Sequence, residues 1–255
     1  MKITQVRNAT ILVEFDGRRI LVDPMLGAKG SGDTVPSTSG DDSRNPTVDL
    51  VVPLERLIDA DVVVVTHTHF DHWDAAAVSL LPREVPLLVQ NAADAGLVAA
   101  EGFRDVSSLE VAVRVGDTVF TRTGGQHGSD ATLEAWPMLG EVSGVVVRHP
   151  GEPVLYIAGD SVLNEEVLAA VAFHKPDVIV LNTGEARLPD DSIIIMGAGD
   201  VVAVHEAAPL AKIVAVHMEA LNHCVVTRDQ VRQMARENGI VDYVFVPEDG
   251  ETIAF

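Results

Sequence analysis

The segment Thr66-His67-Thr68-His69-Phe70-Asp71-His72 directly follows the run Asp61-Val62-Val63-Val64-Val65. An uninterrupted apolar run of this length reads as a strand covered on both faces. Three histidines and an aspartate follow its end within seven residues. His67 and His69 are two positions apart, so in extended chain their rings lie on one side and suit one metal ion. Asp71 and His72 come where the chain turns toward a helix, and they face a neighbouring point. Neutral imidazole and carboxylate are ligands for Zn, Mn, Fe or Ni. The plain alternative is a histidine-rich surface loop, but such a density of ligand types at the exit of a buried strand weighs against it.

Upstream of this segment, strands are expected over 3–6, Thr10–Phe15 and 19–22, with Asp16-Gly17 as a hairpin turn. Residues 24–53 read as a long loop rich in Gly, Ser, Asp and Pro, and loops of that length in compact domains are usually functional or mobile. Downstream, helices are expected over 74–81 and Ala92–Ala100, with a strand over 86–89 between them. Hairpins follow, 109–113 with Thr118–Thr123 and 143–148 with 154–158. The chain then alternates helix 165–173, strand 177–181, helix 199–207, strand Lys212–Val216, helix Arg228–Glu237 and strand 243–246. The stretches Ala60-Asp61-Val62-Val63-Val64-Val65-Thr66 and Pro176-Asp177-Val178-Ile179-Val180-Leu181-Asn182 echo each other, which suggests two similar halves. The pattern is α/β, and 255 residues suit a single domain over 1–255.

Composition narrows the function. There are 18 basic against 38 acidic residues, a formal charge of −20. A phosphate backbone is repelled by such a surface, and no Lys/Arg cluster with interleaved aromatics offsets this, so nucleic acid is not an expected partner. No apolar run approaches the ~20 residues that span a bilayer, and no membrane is expected. Cys224 is the single cysteine. With no signal-like start, a reducing cytoplasm is the simplest compartment.

At the His67–His72 segment the sequence resembles the metallo-β-lactamase superfamily, whose hallmark is H-x-H-x-D-H after a buried strand. The resemblance implies a four-layer αββα sandwich, two mixed β-sheets flanked by helices. It also implies two divalent ions, Zn or Mn first and Fe or Ni next. The family's third histidine matches His127 in Gly124-Gly125-Gln126-His127-Gly128, its bridging carboxylate Asp160 in Ala158-Gly159-Asp160, and its last histidine His217 in Ala215-Val216-His217. One ion is then expected on His67, His69 and His127 and one on Asp71, His72 and His217, with Asp160 between. Each matched position lies just past an expected strand, where open α/β sheets bind ligands.

The opening Asn8-Ala9-Thr10 and Ile20-Leu21-Val22-Asp23-Pro24 resemble the branch holding L-ascorbate-6-phosphate lactonase-like proteins and relatives of N-acyl-phosphatidylethanolamine phospholipase D. That branch often reads Gly-His-Ala where Asn8-Ala9 stands here, which makes Asn8 a substrate-contact candidate. Asp23 matches a carboxylate that orients a metal-bound group. Lys29 and Arg44, the only cations of the 24–53 loop, are candidates to meet an anionic part of a substrate.

His149, His174 and His205 read as structural or surface residues. His223, six residues past His217, reads as a proton donor or substitute ligand, so Asp71 and His223 are the candidate catalytic residues. Cys224 reads as a small buried hydrophobe, and Ser161 as the cap of the helix that follows. The expected reaction is metal-dependent hydrolysis of a small ester, lactone or related acyl compound by a hydroxide bridging the two ions. A small-molecule phosphodiesterase is the alternative, and a metal-binding sensor without turnover the competing class. A small-molecule substrate and possible assembly of like chains complete the expected partners.

Overall fold

The computed structural model describes residues 1–255. Three antiparallel strands open the chain, β1 (Lys2–Arg7), β2 (Thr10–Phe15) and β3 (Arg18–Val22). A long loop leads to helix α1 (Leu54–Ile58), then β4 (Val62–Val65), α2 (Ala75–Leu80), β5 (Leu87–Val89), α3 (Ala92–Ala100) and β6 (Val106–Ser108). Next come β7 (Val113–Val115), β8 (Thr118–Thr123), α4 (Asp130–Ala135), β9 (Gly144–Arg148), β10 (Leu155–Ile157), α5 (Glu165–His174) and β11 (Val178–Asn182). Helix α6 (Ala198–Ala207), β12 (Lys212–Val216), α7 (Arg228–Glu237), β13 (Val244–Phe245) and β14 (Thr252–Ala254) end it.

Two seven-stranded mixed sheets result, ordered β14-β1-β2-β3-β4-β5-β6 and β13-β12-β11-β10-β9-β8-β7. Strand alternation builds the layers. Val62 and Val64 face the core between the sheets with Val178, Val180, Val214 and Val216. Val63 and Val65 face outward onto Leu57, Ala77 and Val98 of α1, α2 and α3. On the other sheet Ile179, Leu181, Ile213 and Ala215 pack against Val167 of α5, Val201 and Val204 of α6 and Val231 of α7. Each buried valine contributes roughly 1.5–3 kcal/mol, so these two-faced strands are the most firmly placed parts of the molecule. This is the αββα arrangement expected above. No helix is long and apolar enough to cross a membrane.

Several expectations need correction. Of residues 109–113 only Val113 pairs with β8. Val106–Ser108 joins the first sheet beside β5, and Val113–Val115 pairs with β8 in the second. The chain crosses between sheets at Leu109, whose amide donates to Val89 O (2.8 Å) and whose side chain enters the inter-sheet core. Its apolar residues suggested a strand, yet only Leu109 is buried, and Val111 on the crossing segment is 77% exposed. Helices α1 and α4 and strand β14 were not anticipated, being too short to show a period. Ser161 is not the cap of α5. Asn164 accepts from Val167 N (2.9 Å), while Ser161 Oγ accepts from Gln126 N (2.9 Å) and steadies the loop that carries His127.

Candidate metal centre

The motif segment leaves β4 in a tight turn, because the amides of His72 (2.9 Å) and Trp73 (2.8 Å) both donate to His69 O. Asp74 then caps α2 by accepting from Ala77 N at 2.7 Å. From the second sheet, His127 follows β8, Asp160 follows β10 and His217 follows β12. The step into Asp160 requires Gly159, at φ 68°, where a Cβ would sit 2.4 Å from Ser143 O.

Seven side chains meet in two groups. His67, His69 and His127 form one, and Asp71, His72, Asp160 and His217 the other. His67 Nε2 and His69 Nδ1 are 3.1 Å apart. Asp160 Oδ2 lies 3.2 Å from His72 Nε2, 3.9 Å from His127 Nε2 and 4.0 Å from His67 Nε2. Its Oδ1 lies 3.4 Å from His217 Nε2, so Asp160 stands between the groups. Asp71 Oδ2 is 3.2 Å from His217 Nε2 and 3.4 Å from His72 Nε2.

Surrounding groups fix this set. Asp23 accepts from Thr66 N (2.7 Å) and Thr66 Oγ1 (2.8 Å), and its Oδ2 is 2.9 Å from His72 Nδ1. That last approach is off the hydrogen-bond direction, for neither nitrogen of the fully buried His72 ring has a bond of ordinary geometry. It is an electrostatic contact. His127 Nδ1 donates to Ile194 O at 2.8 Å, leaving Nε2 as the lone-pair donor toward the group. Asn182 Nδ2 donates to Asp160 Oδ1 at 2.6 Å. Asn182 ends the second of the two echoing stretches, and an amide at the end of a buried parallel strand was the signal that could have assigned it.

The donor set fits divalent ions. The only groups within ion-pair distance of Asp71 and Asp160 are histidines, and His72 Nε2 is buried with no hydrogen-bond partner. Imidazole and carboxylate donors converging in this way, with no lysine or arginine among them, match borderline metals. Electrostatics separates the groups. Burial, reinforced by the neighbouring His72 and His69, holds His67 well below the usual imidazole range, and burial takes His127 down to about 4. At His72 burial is outweighed by Asp160, Asp71 and Asp23, and at His217 by Asp160 above all, so both rings are pushed well up. Burial opposes the charge of Asp71 and Asp160 too, yet His72 and His217 hold both carboxyls well below the ordinary range.

His223 is buried beside the second group. It shares a cavity of 320 Å³ with His69, Asp71, His127 and Asp160, its Nδ1 has no partner, and burial lowers its pKa. Its neutral ring therefore donates or accepts one proton at a time. Cys224 is more than a filler, since its Sγ lies 3.6 Å from His217 Nδ1 and burial pushes its thiol up.

Three substrate-contact candidates sit elsewhere. Asn8 is fully buried behind Asp71, donating to Asp71 O and Oδ2 (3.2 Å each), so it holds a candidate ligand and does not reach the cavity. Arg44 folds back, its Nε donating to Gly30 O and Gly32 O (3.0 Å each), because the glycine-rich loop offers unpaired carbonyls. Lys29 is exposed and, like Arg44, does not line that cavity. The loop itself does reach the site through Val35 and Pro36. Asn222 holds it there, accepting from Val35 N (3.0 Å) and donating to Val35 O and Asp41 O (2.8 Å each). Sequence reasoning passed over Asn222, which no local pattern marks.

Stacked mixed sheets bearing such ligand groups on their strand ends define the metallo-β-lactamase class of metal-dependent hydrolases. The model of the Beta-lactamase superfamily domain matches residues 18–218, and the chain belongs to that family. It is 42% identical over 261 residues to the UPF0173 protein YddR of Bacillus subtilis (strain 168), covering 100% of both. It is 24% identical to a UPF0173 metal-dependent hydrolase of Rubrobacter xylanophilus, over 99% of this chain and 96% of that one. The solved isothiocyanate hydrolase from Delia radicum gut bacteria is 40% identical, with a TM-score of 0.95 over 100% of this chain and 99% of that one. The chain is thus a metal-dependent hydrolase.

Proposed function

We propose that the chain hydrolyses small, uncharged compounds at an electrophilic carbon, isothiocyanates first and small esters or lactones next. The observation that carries this is the lining of the 320 Å³ cavity. Beyond His69, Asp71, His127, Asp160 and His223 it is walled by residues such as Trp136, Leu139, Leu188 and Ile194, without a lysine or arginine. A phosphodiester brings a negative charge that sites usually meet with such cations, and the apolar wall instead suits a neutral molecule. The likeness to the isothiocyanate hydrolase supports the first choice.

Two divalent ions, Zn or Mn, held as the ligand groups suggest, would supply water of lowered pKa and a Lewis acid. The chain's residues do the rest. Asp71, held by Asn8 and His217, and Asp160, held by Asn182, orient the reacting end. His223 lines the cavity, and its ring can move a proton between water and the leaving atom. For an isothiocyanate, the oxygen of water bonds to the central carbon and the carbon–nitrogen bond breaks. Both protons end on nitrogen, so an amine and carbonyl sulfide leave.

The acidic surface extends the proposal to a small-molecule partner in place of nucleic acid, and the single cysteine extends it to a reducing, cytoplasmic setting. The test is a panel of benzyl isothiocyanate, p-nitrophenyl acetate, γ-butyrolactone and bis(p-nitrophenyl) phosphate on protein loaded with Zn or Mn. The isothiocyanate should be consumed fastest, with stoichiometric amine release. A preference for the phosphodiester would overturn the reading, and an inert panel at full metal loading would favour a sensor.

A further inference from the structure

A second cavity of 740 Å³ adjoins the first, and the two share Val35, Pro36 and Phe70 as lining residues. One side of it is the loop around Gly27, Ala28 and Gly32, and the other is the start of α2 with Trp73, Ala75 and Ala76. No lysine or arginine lines it. Its acidic member Asp74 is already engaged, accepting from Gly27 N and Ala77 N at 2.7 Å each. Asp33 turns to solvent and pairs with Arg44. What remains toward the interior is largely carbon and backbone.

Phe70 stands at the junction. It lies between His69 and Asp71, each in one of the two ligand groups, so its backbone is held wherever they are held. Yet Phe70 is 42% exposed, unusual for a large aromatic beside such a buried cluster. We infer that the second cavity receives the non-reacting tail of the substrate, and that Phe70 is the residue that selects which tails pass. The tail class is neutral and apolar, since an anionic tail would find no lysine or arginine in the second chamber, away from the ligand groups. This rests on the proposed attack at carbon for its reacting end, but the chamber itself does not.

Apolar burial makes each added methylene worth on the order of fourfold in affinity. Across straight-chain isothiocyanates from methyl to octyl, kcat/KM should therefore climb until the second chamber is filled. Ala75 and Ala28 are exposed positions lining only that chamber, so Ala75→Trp and Ala28→Trp fill it without touching the ligand groups. Each should lower the octyl-to-methyl ratio of kcat/KM by about tenfold or more. Phe70→Ala should join the chambers, raise the optimal chain length and erase any preference for aryl tails. Separately, the neutral fluorophore N-phenyl-1-naphthylamine should bind wild-type protein, be displaced by octanol but not ethanol, and be lost in both filled variants. An unchanged octyl-to-methyl ratio in both folded variants overturns the inference, as does unchanged fluorophore binding. If no isothiocyanate is consumed but the fluorophore behaves as stated, the reaction reading fails and the tail chamber stands.

Discussion

The backbone amide of His217 donates to the carbonyl of Asn8 over 3.0 Å, and both residues hold left-handed backbone, φ 64° and 53°. Such conformations cost roughly 1–3 kcal/mol each in non-glycine residues and persist only where surroundings fix them. Here the corner between β1 and β2 fixes the exit of β12. The side-chain amide of Asn8 also donates to Asp71 Oδ2, itself 3.2 Å from His217 Nε2. One residue thus places both the backbone of one candidate ligand and the carboxylate of another.

Asn8→Gly separates these roles, because glycine tolerates the backbone and removes only the amide. Affinity for the second ion should fall about 10- to 100-fold, as for other residues that orient ligands. Chelator competition on the purified protein measures it. Unchanged affinity would leave Asn8 a backbone role alone.

His217 and His223 should part company on substitution. His217→Ala is expected to lower occupancy of the second ion. His223→Ala should keep both ions and lower kcat by about 10²-fold, the scale of a lost proton donor. Metal titration and assay at saturating metal distinguish them. Metal loss in His223→Ala with retention in His217→Ala would reverse the assignment.

The two ions should also differ in their response to acid. In metal-free protein the raised His72 and His217 rings carry protons at neutral pH, which a bound ion must displace. Falling pH therefore weakens the second ion from the neutral range downward. The depressed His67 and His127 rings stay neutral well below that, so the first ion persists longer. Metal content after dialysis at a series of pH values should show this order. Loss of the first ion before the second would refute it.

Gly184→Ala tests the packing behind His217. A Cβ there would lie 2.1 Å from His217 O and 2.8 Å from Cys224 Sγ, and backbone cannot yield as a flexible side chain can. Overpacking of this kind costs typically ~1–3 kcal/mol and here displaces a candidate ligand as well. The variant should unfold earlier in urea and bind the second ion more weakly. A wild-type midpoint and wild-type binding together would contradict the geometry.

The central strands and the first four candidate ligands were legible because they share one cause. Val62 to Val65 read as doubly buried, and ligand types crowd the exit. His127, Asp160 and His217 were reached only through family resemblance, since each stands alone in its segment. Asn222 was invisible, its partner Asn45 lying 177 positions away. Lys29 and Arg44 misled because charge alone was taken to face the site, whereas nearby carbonyls captured the Arg44 guanidinium. Leu109 shows the same limit for fold, since burial does not name the sheet.

Each ligand group draws on both sheets, with His67, His69, Asp71 and His72 from one and His127, Asp160 and His217 from the other. An ion held by either group is therefore a rivet across the seam between two half-molecules. It adds nothing to a half that has folded alone, and acts only once both have docked. At free metal one hundred times the dissociation constant, that is ~2.7 kcal/mol per ion, a sizeable part of a domain's stability. In a cell starved of metal the docked state loses that stabilisation, so the seam opens more often and presents the inter-sheet valines to proteases. For this fold, scarcity of metal would lower the amount of enzyme as well as its activity.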